Sequence, residues 1–229
     1  MTLRYDHFEA LTFDCYGTLI DWESGLLTGL RRALPQAEVS DDDLLEAFAR
    51  YEHDAEHPYQ PYRAVLAESL QNVASELSQP VSSEAVATFS VSVRDWPAFA
   101  DSAEALARLK RRFKLGVITN CDTDLFAASN EKLGIDFDWV VTAEMAGSYK
   151  PDHNTFEVAF STIDVPRERI LHVAQSLFHD HVPAKALGLT SVWIDRRHDQ
   201  EGSGATPPAQ VTPDATFPSM KAFADEATA

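Results

Sequence analysis

Five short apolar segments rich in β-prone residues recur along the chain, and helical periodicities separate the last four. They run from Ala10 to Tyr16, Lys114 to Asn120, Phe137 to Thr142, Arg169 to Gln175 and Thr190 to Asp195. Short continuous apolar runs bounded by turn residues read as strands buried on both faces. Amphipathic patterns lie between them at Asp122 to Leu133 and Asp152 to Ile163, with a short one from Pro183 to Leu187 closing at Gly188. Such alternation predicts a doubly wound parallel sheet, a Rossmann-like α/β core with helices on both faces.

One stretch breaks this rhythm. Residues 20–95 carry helical patterns at Gly25 to Leu34, Asp41 to Glu56, Tyr62 to Leu77 and Ser83 to Arg94, with no strand between them. A helical block that enters directly after the first strand reads as a cap over that strand's end. The expected organisation is therefore an α/β core of residues 1–19 and 96–229 with an inserted helical cap domain of residues 20–95. Trp96 to Phe99 would be the return into the core. Asp199 to Pro213, rich in Gly and Pro, reads as a loop.

Charge narrows the partners. With 36 acidic and 19 basic residues the net charge is −17. Nucleic acids and anionic membranes need basic footprints, so neither is expected as a partner. The one basic cluster, Lys110 to Lys114, sits at the end of a helical pattern, where cations suit the helix dipole. No apolar run approaches the roughly 20 residues of a membrane span. Residues 1–7 lack the apolar core of a secretory signal, so a cytoplasmic location is expected. The two cysteines, Cys15 and Cys121, form no CxxC pair, which argues against structural zinc and a disulfide framework.

In an open parallel sheet ligands bind beyond the carboxyl ends of the strands. The first strand leads into Asp14, Cys15, Tyr16 and then Gly17 and Thr18, and the second ends in Thr119 and Asn120. Ser148 to Pro151, with Lys150, follow the third. Ser176, His179, Asp180 and His181 follow the fourth. A carboxylate, a hydroxyl–amide pair, a lysine and a second acid thus converge from four loops.

This order, Asp-x-Tyr-Gly-Thr, then Thr-Asn, then Lys-Pro, then Asp, resembles the four motifs of the haloacid dehalogenase superfamily across essentially the whole chain. Phosphatases of that superfamily carry a second Asp two residues after the first, as leaving-group acid and metal-site partner. Tyr16 holds that position here, as in the type II 2-haloacid dehalogenase branch. Leu11 to Glu23, Gly147 to Pro151, Ser176 to Ala184 and Arg196 to His198 with Gly204 to Thr206 resemble the azetidine-2-carboxylate hydrolases. Those relatives open a strained ring bearing a carboxylate at C2. Two dehalogenase features are missing. Leu177 replaces an Asn three residues before the last acid, and Phe156 replaces a Tyr six residues after the lysine.

The resemblance implies roles. Asp14 is the nucleophile that forms an ester with the substrate's C2. Lys150 holds it ionised. Asp180 handles the hydrolytic water, or caps the helix near Pro183, or both. Thr18, Thr119 and Asn120 would bind the substrate carboxylate. Cys15, Tyr16 and Ser176 are counted as substrate-binding, and Arg50 is the one loose candidate to hold a leaving halide. His179 and His181 are candidate acids for a leaving amine. No metal or other cofactor is expected, because Tyr16 removes one of the carboxylates a Mg²⁺ site needs. Trp22, Tyr149 and Phe178 would wall the pocket. The expected activity is hydrolysis of a small 2-substituted carboxylic acid, such as azetidine-2-carboxylate ring opening, with (S)-2-haloacid dehalogenation as the alternative and Mg²⁺-dependent phosphatase activity less favoured. A homodimer is compatible with this reading.

Overall fold

The computed structural model describes residues 3–199 and 206–229. Gly204 and Ala205, within the motif stretch noted above, lie outside the described residues, as do Met1 and Thr2. Among the described residues six parallel strands form one sheet in the order β3-β2-β1-β4-β5-β6. They are β1 Ala10–Phe13, β2 Lys114–Thr119, β3 Trp139–Thr142, β4 Ile170–Ala174, β5 Thr190–Ile194 and β6 Ala215–Phe217. The first five are the apolar segments read from sequence, each trimmed at its polar end. The sixth is three residues long, too short for a periodicity to register.

Side chains alternate across β1. Leu11 and Phe13 join Leu115, Val117, Leu171 and Val173 in one core. Ala10 joins Ile118, Val141, Ile170 and Phe156 in the core on the other face. Helices cover both faces, so β1 and β4 are buried along their whole length.

Between β1 and β2 lie α1 Trp22–Ala33, α2 Asp41–Ala55, α3 Tyr62–Glu76 and α4 Ser83–Phe89, with a 3₁₀ turn at Ser92–Asp95. The fourth helical pattern therefore ends earlier than expected, at Phe89. The chain leaves and re-enters the core side by side: the Asp21 N–H donates to the Pro97 carbonyl and the Phe99 N–H to the Leu19 carbonyl. The remaining helices are α5 Ser102–Leu109, α6 Thr123–Leu133, α7 Ala143–Ala146, α8 His153–Thr162, α9 Val182–Ala186 and α10 Met220–Ala227. The basic cluster after α5 is engaged within the protein, with Lys110 on Asp138 and Arg112 on the Ala227 carbonyl. None of the described helices is long and apolar enough to cross a membrane.

Gly25 marks where the insertion grips the core. A Cβ there would lie 2.4 Å from Trp96 Cγ and 2.6 Å from Trp96 Cβ. Trp96 is fully buried, and its Cβ cannot swing away without moving backbone. Ala at a helix interior gains up to about 1 kcal/mol in propensity over Gly. Overpacking a rigid neighbour costs about 1–3 kcal/mol, so the clash wins. Gly25→Ala is expected to lower stability, read as a reduced denaturant midpoint at unchanged slope. An unchanged or higher midpoint would show that Trp96 can give way.

Candidate active site

The sheet reverses its winding at β1: β2 and β3 build outward on one side, β4 to β6 on the other. That reversal opens a crevice beyond the strand ends. Asp14 sits there, its N–H donating to the Val173 carbonyl, one residue past the end of β1. A tight loop follows. The Leu19 and Ile20 N–H groups return to the Cys15 carbonyl, and Gly17 at φ +93° makes the turn. A side chain at Gly17 would meet Gln175 and Trp22 at 3.1 Å.

Lys150 arrives from the loop after α7 and spends all three protons inside the protein. Its Nζ donates to Asp14 Oδ1 at 2.8 Å, Asp180 Oδ1 at 2.7 Å and the Ile118 carbonyl at 2.8 Å. All three charged groups are nearly sealed, at 5% exposure for Asp14 and 1% for Lys150 and Asp180. Burying an ammonium between two carboxylates satisfies its donors and leaves none for a ligand. The Thr18 hydroxyl donates to Asp14 Oδ2 at 2.6 Å while accepting the Gln175 N–H. Each oxygen of Asp14 thus accepts one bond, and the carboxylate is aimed into a pocket it lines with Lys150, Asp180 and Asn120.

The two acids differ. Burial and the Asp180 charge push Asp14 above its ordinary range, against the pull of Lys150 and Thr18. Asp180 meets the same burial, but Lys150 and His172 together hold it well below the usual carboxylate range. His172 Nε2 lies 3.0 Å from Asp180 Oδ1, and its Nδ1 lies 2.9 Å from Thr12 Oγ1. Burial lowers the Lys150 ammonium and the two carboxylates more than restore it, for a net rise. As pH falls, Asp14 therefore takes a proton before Asp180.

Several expected site residues lie elsewhere or act differently. Arg50 is exposed and paired with Glu76 at 3.0 Å, outside the pocket, because its side chain leaves α2 on the solvent face. His181 is fully buried between Ser191 Oγ and the Ala174 carbonyl, tying the loop to β5 and β4 rather than facing the pocket. Cys15 is sealed in the core. Thr18 is committed to Asp14. Thr119 is buried off the pocket, its hydroxyl unpartnered among the described residues. Asn120 does line the pocket, but its amide brackets the Lys150 backbone, accepting from Lys150 N–H at 2.7 Å and donating to its carbonyl at 3.0 Å. These three residues therefore do not form the carboxylate nest expected from sequence.

Tyr16, Ser176 and His179 line the pocket. Burial lowers His179 to about 4, so it is neutral near pH 7 and does not supply the acid expected of it. Asp180 does not cap α9, whose N-cap is His181 with no side-chain bond. It belongs to a π-helical turn, Leu177–His181, a distortion often found at functional sites. Of the three aromatics, Trp22 lines the pocket, whereas the Tyr149 hydroxyl donates to the Gln60 carbonyl. Phe178 does not line it.

The helical insertion contributes residues that sequence reasoning did not single out: Ala49, Glu52, His53, Glu56 and Tyr62. Burial raises Glu52 to about 7 although Tyr62 donates to it at 2.6 Å. Burial and the neighbouring Glu52 push Glu56 well above its ordinary value. Their spacing, one helical turn apart on α2, was visible in the sequence, but it is equally the spacing of a solvated face. The donors near Asp14 do not suit a phosphatase-like Mg²⁺ site. Asp14 and Asp180 share Lys150, and the Tyr16 hydroxyl pairs with Ser129 Oγ at 3.1 Å.

A family model described as haloacid dehalogenase-like hydrolase matches residues 8–188. An (S)-2-haloacid dehalogenase of Pseudomonas sp. strain YL is 25% identical over 221 residues, covering 90% of this chain and 91% of that one. A defluorinating L-2-haloacid dehalogenase superposes with a TM-score of 0.81 at 20% identity, covering 97% of this chain and 96% of that one. The L-2-haloacid dehalogenase of Xanthobacter autotrophicus gives 0.78 at 18% identity, covering 95% and 97%. These superpositions match the whole fold, helical insertion included.

Proposed function

The chain belongs to the haloacid dehalogenase-like hydrolases, and from that membership we propose that it displaces a leaving group from C2 of a small 2-substituted carboxylic acid through an Asp14 ester. The observation that carries this reading is the Asp14–Lys150–Asp180 triad, with Tyr16 where metal-dependent relatives need an acid. Asp14 attacks C2 and the leaving group departs with its bonding electrons. Asp180, whose bonds from Lys150 and His172 both fall on Oδ1, uses Oδ2 to take a proton from the water that attacks the ester carbonyl and returns it to the hydroxy-acid oxygen as the acyl C–O bond breaks, which regenerates the Asp14 carboxylate. The helical insertion acts as a cap, closing the pocket with α2 and α3.

The relatives favour a 2-haloacid as substrate. A halide leaves as a stable anion and needs no acid, which fits a pocket whose Lys150 ammonium is fully engaged. A second reading, opening of azetidine-2-carboxylate, is supported by Glu52. A carboxyl near pKa 7 in the pocket can protonate a departing amine, a contribution typically worth 10²–10⁴-fold. The test is kcat/KM for (S)-2-chloropropionate against azetidine-2-carboxylate, with Glu52→Gln alongside. Faster halide release, insensitive to Glu52→Gln, is expected. Faster ring opening, lost in Glu52→Gln, selects the second reading. Turnover of neither, with phosphate esters hydrolysed instead, would overturn both.

A further inference from the structure

Glu56 presents a problem that the proposed reaction does not use. It ends α2 at 7% exposure and lines the pocket, yet no group among the described residues hydrogen-bonds its carboxyl. Its oxygens reach the pocket space and have no protein partner there, so the carboxyl is open to a ligand. His53 and His57 flank it one turn apart, both exposed, and ligand atoms of all three residues lie within 4.8 Å of one another. His57 Nδ1 lies 3.1 Å from the His53 carbonyl. That bond places the ring proton on Nδ1 and leaves the Nε2 lone pair free, which is how metal-bound imidazoles are usually oriented.

We propose that His53, Glu56 and His57 bind one late first-row divalent cation of the zinc class at the edge of the catalytic pocket. Two imidazoles and one carboxylate are a donor set that such ions take, and three protein ligands leave a fourth position open. Mg²⁺ and Ca²⁺ prefer all-oxygen shells and are excluded by the same argument. The ion gives the Glu56 carboxylate the cationic partner that it lacks among the described residues. Metal ligands bind in their deprotonated forms, so affinity rises with pH. Because His53 and Glu56 also line the pocket, the open position lies beside the space a substrate would fill. The site does not depend on the reaction assigned to Asp14.

Protein stripped with EDTA and desalted is titrated with Zn²⁺ by calorimetry, and with Co²⁺ by its visible d–d absorption. One ion per chain is expected, with cobalt bands of low-coordinate intensity. Glu56→Gln and His57→Ala should each weaken binding by about 100-fold or more, beyond the 10–100-fold typical of removing a supporting group. Asp14→Asn should bind as the wild type does, which separates this site from the reaction. Circular dichroism confirms that each variant is folded. No stoichiometric binding, or equal binding in wild type and Glu56→Gln, would overturn the proposal. Mg²⁺ competing with Zn²⁺ at equal concentration would also overturn it.

Discussion

Asp14→Asn is expected to abolish turnover while the fold survives. The amide is isosteric and can keep the Lys150 contact through its oxygen while its NH2 turns to the Thr18 hydroxyl, but it cannot attack carbon. Loss of a covalent nucleophile costs on the order of 10⁴–10⁶ in kcat. Turnover within about tenfold of wild type, an effect of about 1.4 kcal/mol, would remove Asp14 from the role. A companion measurement distinguishes nucleophile from base. In one turnover in ¹⁸O-water, with enzyme in excess, the ester breaks at its carbonyl. The product then carries unlabelled oxygen from Asp14, and the label enters the Asp14 carboxylate. Labelled first-turnover product would mean that water attacks the substrate directly. The pH profile follows from the same geometry. Asp14 must be ionised to attack, and its pKa is raised, so kcat/KM should fall with acid above the ordinary Asp range near 3.9. Asp180, held low, stays ionised through that limb.

Lys150→Met carries the largest combined effect, on stability and on rate. The ammonium bridges two sealed carboxylates, and removing it leaves both buried and unpaired. Breaking one partner out of a buried pair costs about 3–5 kcal/mol. The loss should be greatest near pH 7 and shrink as pH falls. With the cation gone both carboxyls have raised pKa values, so they accept protons early and shed the charge that burial penalises. Chemical denaturation at neutral and at acid pH measures this, and a gap that widens toward acid would contradict it. The rate should drop by about 10³-fold, the cost of one preorganised electrostatic contact, with the acid limb of kcat/KM shifted to higher pH. An unshifted limb would mean that Lys150 does not govern Asp14.

Phe156 shows how a missing motif residue is absorbed. The dehalogenase resemblance placed a Tyr there. In the structure Phe156 is fully buried on α8, its ring edge-on to His172 with centroids 5.4 Å apart. His172 in turn holds Asp180. The position is therefore a packing surface behind the acid, and no hydroxyl is needed for it to fill the space. Leu177 opens the π-helical turn but does not line the pocket, so the absent Asn takes with it one amide that would have sat on that turn.

The strands and the four loops were determined by the sequence itself. Buried parallel strands are written as unbroken apolar runs, and their polar successors fall at one end of the sheet because all strands point the same way. That is why the sequence alone marks Asp14, Lys150 and Asp180. Only the tertiary structure decided what surrounds them. His172 lies inside the apolar run of β4, where nothing local says that its imidazole reaches Asp180. On α2, Arg50 and Glu52 are two residues apart, yet one faces solvent and the other faces the pocket. Helical periodicity gives that helix a buried and an exposed side. The direction in which the buried side points is set by how the insertion packs on the core, through contacts such as Gly25 against Trp96, far from α2 in the chain. The same packing half-buries His179 in the pocket wall and lowers its pKa, because burial penalises the charged imidazole and is not written in the residues beside it in sequence.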